Sequence, residues 1–511
     1  MTVRIAVPKG ASGASVLSRP DPQTSEGADV RGYDHLFIDG GLSASAGGES
    51  IEVRSPATEE LIGWVPDGTP ADVDAAVAAA RRAIDGGPWA GTSPRERVDL
   101  LGRLGKAVRA RSEEFTEVIS GEVGSPRTWA RTGQIATGLG VLRAYRDIAA
   151  AYPWAERRTG VFGNEVLVRR LPVGVVAAIV PWNAPLFIAA LKIAPALAAG
   201  CTVVLKPAPQ APLSLYLLAE VAAEIGLPDG VLNIVPAGPA ASEHLVRHPG
   251  VDKVSFTGST AVGRRIGELC GHDMRRCTLE LGGKSAAVLL DDLELDETLA
   301  DRLVDGAMAN SGQVCMAQTR ILAPRSRYRE VVDLLGTAVA RLRVGDPADP
   351  GTQLGPVISE RARVRIERDV ARAAGDGARI VTGGGRPPGL TRGWYVEPTL
   401  LSEVDNRMPI AREEIFGPVA VVIPYDSDDD AVRIANDSGY GLAGAVWTAD
   451  PARGADLAGR LRTGSVAVNS TAPMDLGSPF GGLRGSGVGR EGGPEGVTAY
   501  VEHQTIVMPP S

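Results

Sequence analysis

Two segments of the chain carry residue types that could perform covalent catalysis. Segment 310–315 places Cys315 at the end of an apolar run, after a glycine turn, and Glu280 stands upstream just before Gly282 and Gly283. A cysteine thiolate is a strong nucleophile, and a carboxylate can activate water as a general base. The two segments together therefore predict a thiol nucleophile that works with a general base.

Each segment taken alone also has a structural interpretation. A cysteine is more often a small buried hydrophobic residue than a nucleophile, and a glutamate before two glycines often ends a strand. The joint occurrence of the two segments favours catalysis. The structural interpretation applies mainly to Cys201, Cys270 and Cys277, because none of them has a base or an oxyanion donor beside it in the sequence.

The sequence before Glu280 predicts the fold that would position these catalytic groups. Patterns typical of strands and helices alternate along it. Strands are expected over 173–180, 202–205, 231–235, 253–257 and 278–281, and helices over 185–199, 214–225, 241–248 and 261–270. Repeated units of this length predict a parallel, doubly wound sheet. In such sheets ligands bind beyond the carboxyl ends of the strands.

The carboxyl ends of these strands carry polar and glycine-rich sequence. Asn183, Lys206 and Glu280 each follow or end a predicted strand. Segment 256–263 runs from a strand through a glycine turn into a helix, so the first N–H groups of the helix and the Ser259 hydroxyl can face a pyrophosphate. These positions predict a dinucleotide site at one edge of the sheet.

A second α/β domain is predicted after this sheet. A strand over 286–290, a helix over 295–310 and a strand over 320–323 restart the alternation, and Cys315 lies between the last two. The two domains fit a chain of 511 residues, which is longer than one ordinary hydrophobic core requires.

The segments around Glu280 and Cys315 resemble the two signature sequences of the NAD(P)-dependent aldehyde dehydrogenase family. The resemblance extends from about Phe37 to the C-terminus. It implies an α/β fold with a parallel-sheet dinucleotide-binding domain (35–152 and 172–283), a catalytic domain (284–484) and a β oligomerisation arm (153–171 and 485–511). The hairpin near 162–170 and a tail strand over 504–508 match the arm, so a homodimer or homotetramer is expected.

The resemblance also implies a mechanism. Cys315 would attack the aldehyde carbonyl, and the oxyanion would be received by the Asn183 side chain and the backbone N–H of Cys315. Glu280 would activate the water that hydrolyses the resulting thioester. Glu491 resembles a residue that relays the proton, although an Arg-Glu pair near the chain end can also be solvated charge.

NAD is the expected cofactor, and the resemblance assigns it a set of binding positions. They are Val180, Pro181, Trp182, Lys206, Pro209, Gly258, Ser259, Gly263, Leu281, Gly282, Glu414 and Phe416. Pro209 departs from the pattern, because many NAD-using members carry an acid there that binds the ribose diol and repels a 2′-phosphate. Its loss removes a penalty against NADP, so NADP could also be accepted.

The resemblance places a substrate tunnel above Cys315. Its expected lining is Ala184, Phe187, Leu191, Val314, Met316, Met474 and Phe480. None of these residues is charged, so a carboxylate end group would be unpaired there, and a quaternary ammonium would require more aromatic faces. The lining favours an apolar aliphatic, terpenoid or aromatic aldehyde.

Composition and patterning exclude several other classes. The net charge is −8 and aromatic residues make up 5% of the chain, without a basic block that would indicate nucleic acid. Prolines and a lysine interrupt the apolar stretch 171–205, so no membrane span is expected. Residues 1–34 predict a flexible N-terminal extension with no secretory signal, and a reactive thiol among four cysteines favours the cytoplasm. His244 and His248 lack a third ligand nearby in sequence, so no metal site is expected.

Two rival functions remain after this reading. A CoA-acylating semialdehyde dehydrogenase would use thiolysis in place of water and would not need Glu280. A non-catalytic binding protein could also be built on the same scaffold. The presence of Glu280, Cys315 and Asn183 favours the hydrolytic enzyme over both.

Overall fold

A computed structural model describes residues 30–509, and the chain there alternates between strands and helices. The strands are β1 (Arg31–Gly32), β2 (Leu36–Ile38), β3 (Gly41–Ser43), β4 (Ser50–Arg54), β5 (Leu61–Pro66), β6 (Ala155–Thr159), β7 (Glu165–Pro172), β8 (Val175–Ile179), β9 (Thr202–Lys206), β10 (Leu232–Ile234), β11 (Lys253–Thr257), β12 (Arg276–Glu280), β13 (Ala286–Leu289), β14 (Arg320–Pro324), β15 (Arg379–Thr382), β16 (Thr399–Ser402), β17 (Val419–Tyr425), β18 (Ala443–Trp447), β19 (Ser465–Val468), β20 (Gly487–Val488) and β21 (Val501–Val507). The helices are α1 (Pro70–Asp85), α2 (Pro94–Ala110), α3 (Ser112–Val123), α4 (Arg127–Trp129), α5 (Thr137–Ala151), α6 (Pro185–Ala199), α7 (Leu213–Glu224), α8 (Pro239–Arg247), α9 (Thr260–His272), α10 (Glu297–Met308), α11 (Tyr328–Ala340), α12 (Glu360–Gly375), α13 (Pro409–Arg412), α14 (Asp428–Asn436), α15 (Pro451–Gly459) and α16 (Gly493–Thr498).

The predicted βα units form an eight-stranded sheet in the order β20-β12-β11-β8-β9-β10-β2-β3. Its five central strands are parallel, whereas β20, β2 and β3 are added antiparallel at the two edges. The purely parallel sheet predicted for this domain is therefore mixed at its edges. The sequence pattern did not reveal the edge strands because each has only two or three residues.

Helices cover both faces of the eight-stranded sheet. Val175 and Ala177 of β8 pack with α1, α8 and α9, while the alternate residues Val176 and Ala178 pack with α2, α5, α6 and α7. This alternation follows from the two-residue period of a strand. It explains why β8, at the centre of the sheet, is apolar along its whole length.

The second domain contains a seven-stranded sheet in the order β15-β16-β17-β14-β13-β18-β19. All neighbours are parallel except β15 and β16. Helices α10 and α11 cover one face, and α12, α14 and α15 cover the other. The loop between α10 and β14 carries Cys315, so the predicted nucleophile belongs to this second domain.

The predicted arm is a three-stranded antiparallel sheet in the order β21-β7-β6. Its tip exposes Val161 and Phe162 almost completely. The expectation that all of 485–511 belongs to the arm is wrong, because β20 pairs with β12 and α16 packs against α5 and α6. Within the described residues, the C-terminal segment contributes only β21 to the arm sheet.

The N-terminal boundary also differs from the prediction. Residues 1–29 lie outside the described residues, but β1 pairs in parallel with β5, and Arg31 forms an ion pair with Glu114 at 2.8 Å. Tyr33 donates a hydrogen bond of 2.8 Å to Glu220. The last residues of the predicted flexible extension are therefore held against the first domain. Among the described helices, none has the length and apolarity to cross a membrane.

Candidate active site

A cavity of about 540 Å³ brings the predicted catalytic residues and the predicted tunnel lining together. From the sequence-based set it contains Asn183, Ala184, Phe187, Leu191, Glu280, Val314, Cys315, Met316, Met474, Phe480 and Glu491. It also contains residues that the sequence did not single out, among them Trp129, Thr257, Asp305, Thr471 and Leu476. The cavity lies where the carboxyl ends of β11 and β12 meet the Cys315 loop of the second domain.

The backbone before Cys315 adopts an uncommon conformation. Asn310, Ser311 and Gly312 are consecutive left-handed residues, with φ of 52°, 57° and 69°. A Cβ on Gly312 would lie 1.9 Å from the carbonyl oxygen of Gly417, so this position requires glycine. The two non-glycine residues cost roughly 1–2 kcal/mol each in backbone strain, which the surrounding contacts must offset.

Side chains of the same motif provide those contacts. Asn310 Oδ1 accepts a hydrogen bond of 2.6 Å from Ser125, and Ser311 Oγ donates one of 2.8 Å to the carbonyl of Gly355. Gln313 Oε1 accepts the N–H of Ile358 at 2.9 Å. The motif therefore fixes the loop that presents the thiol. The sequence motif around Cys315 contains these residues, but the motif did not predict that their side chains hold the loop in place.

Asn183 lies beside this loop at the start of α6. Its Nδ2 donates one hydrogen bond of 2.9 Å to the carbonyl of Gln313, while its own carbonyl accepts from Gln134 and Asn310. An amide nitrogen has two hydrogens, so a second donor is available to a group in the cavity. The hydrogen bonds hold Asn183 in register with the Cys315 loop across the domain boundary.

Glu280 ends β12 and points its carboxyl into the cavity. The residue is 3% exposed, and its Oε1 has no hydrogen-bond partner among the described residues. Burial, and then the nearby charge of Glu491, raise the pKa of Glu280 well above its ordinary value. A Cβ on Gly481 would lie 2.7 Å from Oε1, so a glycine backbone closes directly over the carboxyl.

Glu491 is buried and not a solvated surface charge. Its Oε1 accepts a hydrogen bond of 2.7 Å from Lys192 Nζ, and the side chains are 3% and 0% exposed. Lys192 also donates to Ser255 at 3.2 Å, and Ser255 accepts from Tyr500 at 3.1 Å. The sequence alternative of a solvated Arg-Glu pair is therefore wrong. The sequence showed Lys192 as a lone charge within an apolar helix, but it did not show that Glu491 is its partner.

The Cys315 thiol is poorly acidic in the resting structure. Burial raises its pKa to about 12, and the charges of Glu280 and Glu414 add to the effect. Backbone N–H groups of Cys315 and Met316 lower it in part. The thiol is therefore protonated at neutral pH, and reaction requires a base or an approaching positive charge.

The predicted pyrophosphate turn forms the N-terminus of α9. Ser259 is the N-cap, and its Oγ accepts the N–H of Val262 at 3.4 Å. A Cβ on Gly258 would lie 2.5 Å from the Phe256 ring, and one on Gly263 would lie 2.3 Å from Leu281. Glycines thus allow the turn to pack closely on the sheet and leave its N–H groups open to an anion.

The adenosine side of the predicted cleft is built at the ends of β8 and β9. Val180 donates its N–H to the carbonyl of Lys206 at 3.1 Å, and Pro181 follows it. Burial lowers the pKa of Lys206 to about 8, and the charge of Asp67 acts against this shift. Pro209 follows in the same turn and supplies no carboxylate, as the sequence indicates.

The nicotinamide side of the cleft lies between the domains. The rings of Trp182 and Phe416 meet edge to face with centroids 5.5 Å apart. Glu414 accepts the N–H of Gly283 at 3.0 Å, and a Cβ on Gly282 would lie 2.4 Å from its carboxylate. The predicted cofactor residues therefore form two groups at the same edge of the sheet, which fits an extended dinucleotide.

Leu281 and Gly282 are held by the C-terminal segment. The N–H of Leu281 donates to the carbonyl of Ser486 at 3.0 Å, and Ser486 Oγ donates to the carbonyl of Gly282 at 2.6 Å. These hydrogen bonds fix the turn at Leu281 and Gly282 that directly follows Glu280. Ser486 had no signal in the sequence because its partners lie far away along the chain.

His244 of α8 and His248, which directly follows this helix, lie close to a third side chain that could bind a metal. Asp74 of α1 lies 2.6 Å from His244 Nε2 and 3.3 Å from His248 Nε2, so the expectation of no nearby third group is wrong. His248 Nδ1 accepts the N–H of Gly250 at 2.9 Å, which places the ring proton on Nε2. A metal would need a lone pair on Nε2, so the observed hydrogen bonds favour a His-Asp pair over metal ligation.

Comparisons with known proteins show which family the chain resembles. The sequence model of the "Aldehyde dehydrogenase family" matches residues 43–506. Geranial dehydrogenase of Castellaniella defragrans is 46% identical over 93% of this chain and 99% of its own. The 3-succinoylsemialdehyde-pyridine dehydrogenase of a Pseudomonas species is 41% identical over 94% of this chain and 99% of its own.

Solved structures show the same relationship. A Mycobacterium tuberculosis aldehyde dehydrogenase complexed with NAD+ is 49% identical, with a TM-score of 0.92 over 94% of this chain and 99% of that one. An aldehyde dehydrogenase C mutant of Pseudomonas syringae, complexed with NAD+ and octanal, is 40% identical, with a TM-score of 0.89 over 96% and 98%. The predicted α/β fold class is confirmed, and the chain belongs to the aldehyde dehydrogenase family of NAD(P)-dependent oxidoreductases that act on the aldehyde group.

Proposed function

We propose that this enzyme oxidises an apolar aldehyde to the carboxylic acid through a thiohemiacetal and a thioester on Cys315. The observation that carries the proposal is the single cavity that Cys315, Glu280 and Asn183 share. A nucleophile, a buried base and an amide donor are the three groups that acyl transfer requires.

The first step is the attack of Cys315 sulfur on the aldehyde carbonyl. As the sulfur bonds to the carbonyl carbon, the thiol proton passes to solvent water, and Glu280 is kept as the base for the last step. The oxygen of the carbonyl becomes an anion, which the free hydrogen of Asn183 Nδ2 and the backbone N–H of Cys315 can stabilise. The loop bracing described above keeps these donors in place before the substrate arrives.

The cofactor is NAD, and NADP could also serve because Pro209 offers no charge against a 2′-phosphate. When bound, NAD(P) accepts the hydride that leaves the former aldehyde carbon. The N-terminus of α9 with Ser259, the Lys206 side chain, and Glu414 with Phe416 would hold its pyrophosphate, adenosine ribose and nicotinamide ends.

The last step is hydrolysis of the thioester. Glu280 takes a proton from water as the water attacks the acyl carbon, and the raised pKa of this carboxyl suits a base that works near neutral pH. Glu491 and Lys192 lie behind Glu280 as a buried ion pair that can receive the proton afterwards. The bond between carbon and sulfur then breaks, so Cys315 leaves as the thiolate and the product is the carboxylic acid. Ionisation of that acid supplies the proton that restores the thiol.

The substrate class follows from the cavity wall. Ala184, Phe187, Leu191, Met474 and Phe480 present apolar surface, which suits aliphatic, terpenoid or aromatic aldehydes. The relative named geranial dehydrogenase and the neighbour complexed with octanal support an apolar chain. Initial rates of NADH formation with hexanal, octanal, citral, benzaldehyde and succinic semialdehyde test the proposal, and a preference for succinic semialdehyde would overturn it.

The same assay separates the two rival functions. Glu280 inside the cavity favours water as the acceptor of the acyl group, whereas a CoA-acylating enzyme would require CoA for turnover. Full NADH formation without CoA, with the free acid as product, supports hydrolysis. No NADH formation with any aldehyde, although NAD binds, would favour a binding protein.

Assembly and compartment complete the proposal. The exposed apolar tip at Phe162 and the edges of the β21-β7-β6 sheet suit pairing with a second copy, as a homodimer or homotetramer. Light scattering on the purified chain tests this, and a monomer at micromolar concentration would overturn it. Four free cysteines, including the proposed nucleophile, suit the reducing cytoplasm.

A further inference from the structure

Asp305 is an acidic residue of the substrate cavity that has no part in the mechanism proposed above. It lies in the last turn of α10, next to Gly306, where an added Cβ would lie 3.2 Å from Thr471, another lining residue of the cavity. By surface area Asp305 is exposed, yet the atoms around its carboxyl desolvate it enough to raise its pKa. Asp305 is thus a lining residue of the cavity that a substrate must enter to reach Cys315.

The carboxylate of Asp305 has no partner among the described residues. No side-chain hydrogen bond or ion pair reaches it, and the described cavity lining contains no Lys, Arg or His. Arg302, one turn earlier on α10, is directed elsewhere: its guanidinium lies 4.7 Å from the Trp447 ring centre and donates to the Asn469 carbonyl. Arg302 is therefore not a counterion of Asp305, although both residues belong to α10.

The remaining charges near the cavity do not neutralise Asp305. Glu280 and Glu491 are also acidic, and Lys192 is committed to Glu491. Each carboxylate would repel an anionic substrate. A cationic substrate could pair with Asp305, because this carboxylate is unpaired and close to solvent. Trp129 and Phe187 in the same wall offer aromatic faces, which also attract cations.

We propose that Asp305 selects aldehydes whose apolar body ends in a protonated amine. The inference rests on the proposed function, since the aldehyde carbon must still reach Cys315 through the apolar part of the cavity. The amine would lie at the end distal to the aldehyde, near α10. Asp305 acts there as a specificity-determining residue and takes no part in the chemical steps.

Four para-substituted benzaldehydes of similar size test the proposal. They carry a dimethylaminomethyl group (a cation), an isobutyl group (its neutral isostere), a hydroxymethyl group (a neutral donor) and a carboxymethyl group (an anion). The measured quantity is the ratio of kcat/KM for the cation to that for the isobutyl compound. In Asp305→Asn this ratio should fall by roughly twofold to fivefold, as expected for a partly exposed charge pair, and kcat/KM for the anion should rise.

Two variants make the result specific to Asp305. Asp301→Asn removes a carboxylate on the same helix, one paired at 2.8 Å with Arg341 outside the cavity, and should leave the ratio unchanged. Asp305→Glu keeps the charge and should retain most of the preference. Melting temperatures verify that each variant is folded.

The outcomes separate this proposal from the proposed function. A change in the ratio below twofold in Asp305→Asn, or an equal change in Asp301→Asn, would overturn the role of Asp305 while turnover of the isobutyl compound upholds the proposed function. A response of the hydroxymethyl compound alone would show a neutral donor and overturn the cationic end group. Absence of turnover with all four compounds would overturn the proposed substrate class itself.

Discussion

Lys192 Nζ lies 2.7 Å from Glu491 Oε1 in an ion pair that is almost fully removed from solvent. The pair stands behind Glu280, whose pKa is raised by burial and then by the charge of Glu491, while Lys192 acts in the opposite direction. Burial is therefore the main cause of the raised pKa of the proposed base, and a buried pair that touches neither the nucleophile nor the turn at Ser259 adjusts that pKa further.

Replacing Glu491 by Gln should move the pH dependence of thioester hydrolysis to lower pH. A base with a raised pKa gains its active, ionised form only as the pH rises through that pKa, so the rate of hydrolysis rises there. The variant loses a negative charge beside Glu280 and leaves Lys192 positive, and both changes lower the pKa of Glu280. Rapid-mixing rates of acyl-enzyme hydrolysis across pH measure the shift.

The exposed Glu495 provides the control for this variant. Glu495→Gln changes the same charge in the same C-terminal segment and should leave the pH profile in place. The buried lysine left unpaired in Glu491→Gln should also lower the melting temperature, because an uncompensated buried charge typically costs about 3–5 kcal/mol. An unshifted profile in a folded Glu491→Gln protein would mean that Glu491 does not set the protonation of Glu280.

Replacing Asn183 by Ala should lower kcat by a factor on the order of 10²–10³, as removal of one oxyanion donor typically does. Steady-state kinetics with the best aldehyde measure the loss. Gln134→Met removes only the 3.0 Å hydrogen bond to the Asn183 carbonyl and should cost much less. A fall in kcat below threefold in Asn183→Ala, with an unchanged melting temperature, would mean that Asn183 only holds the Gln313 carbonyl in place and does not stabilise the oxyanion.

Replacing Pro209 by Glu should shift cofactor preference towards NAD. The new carboxylate can accept from the ribose diol and repel a 2′-phosphate, so kcat/KM for NADP should fall relative to that for NAD. The parent should show appreciable NADP turnover. If the parent uses only NAD, Pro209 does not open the site to NADP, and Asp67, whose charge acts on Lys206, becomes the residue to substitute.

Replacing Gly312 by Ala should destabilise the Cys315 loop. The residue has φ of +69°, and the added Cβ would lie 1.9 Å from the Gly417 carbonyl. Overpacking and strain of this kind cost about 1–3 kcal/mol, which corresponds to a fall of roughly 1–3 °C in melting temperature for a chain of this length. Gly271→Ala, in α9 with open space around it, is the control and should change the melting temperature little.

The sequence predicted the elements near the site well and the supporting contacts poorly. Strand β9 begins at Thr202 as predicted, and helix α6 spans Pro185–Ala199 as predicted, because apolar runs and an N-terminal proline mark them locally. The helices before β6 were not located, although the capping boxes at Thr69 and Ser93 mark the starts of α1 and α2. The short antiparallel edge strands carry weak patterns and were also not located.

The supporting contacts were missed for a physical reason. Lys192 and Glu491, or Ser486 and Gly282, lie far apart in sequence, and only the folded chain joins them. Asp305 shows the same limit, because an aspartate on an amphipathic helix predicts a solvated face. Its position in the cavity wall depends on how α10 is oriented towards the first domain.

The most direct test of the account is the location of the acyl group in Glu280→Gln. This variant should release one rapid equivalent of NADH per site with a preferred aldehyde and then stall, because hydrolysis lacks its base. Intact mass spectrometry should then show one acyl adduct per chain, and peptide mapping should place it on Cys315. Cys315→Ala in the same background should show neither the NADH release nor the adduct. An adduct on Cys201, Cys270 or Cys277, or NADH release that survives Cys315→Ala, would contradict covalent catalysis by Cys315.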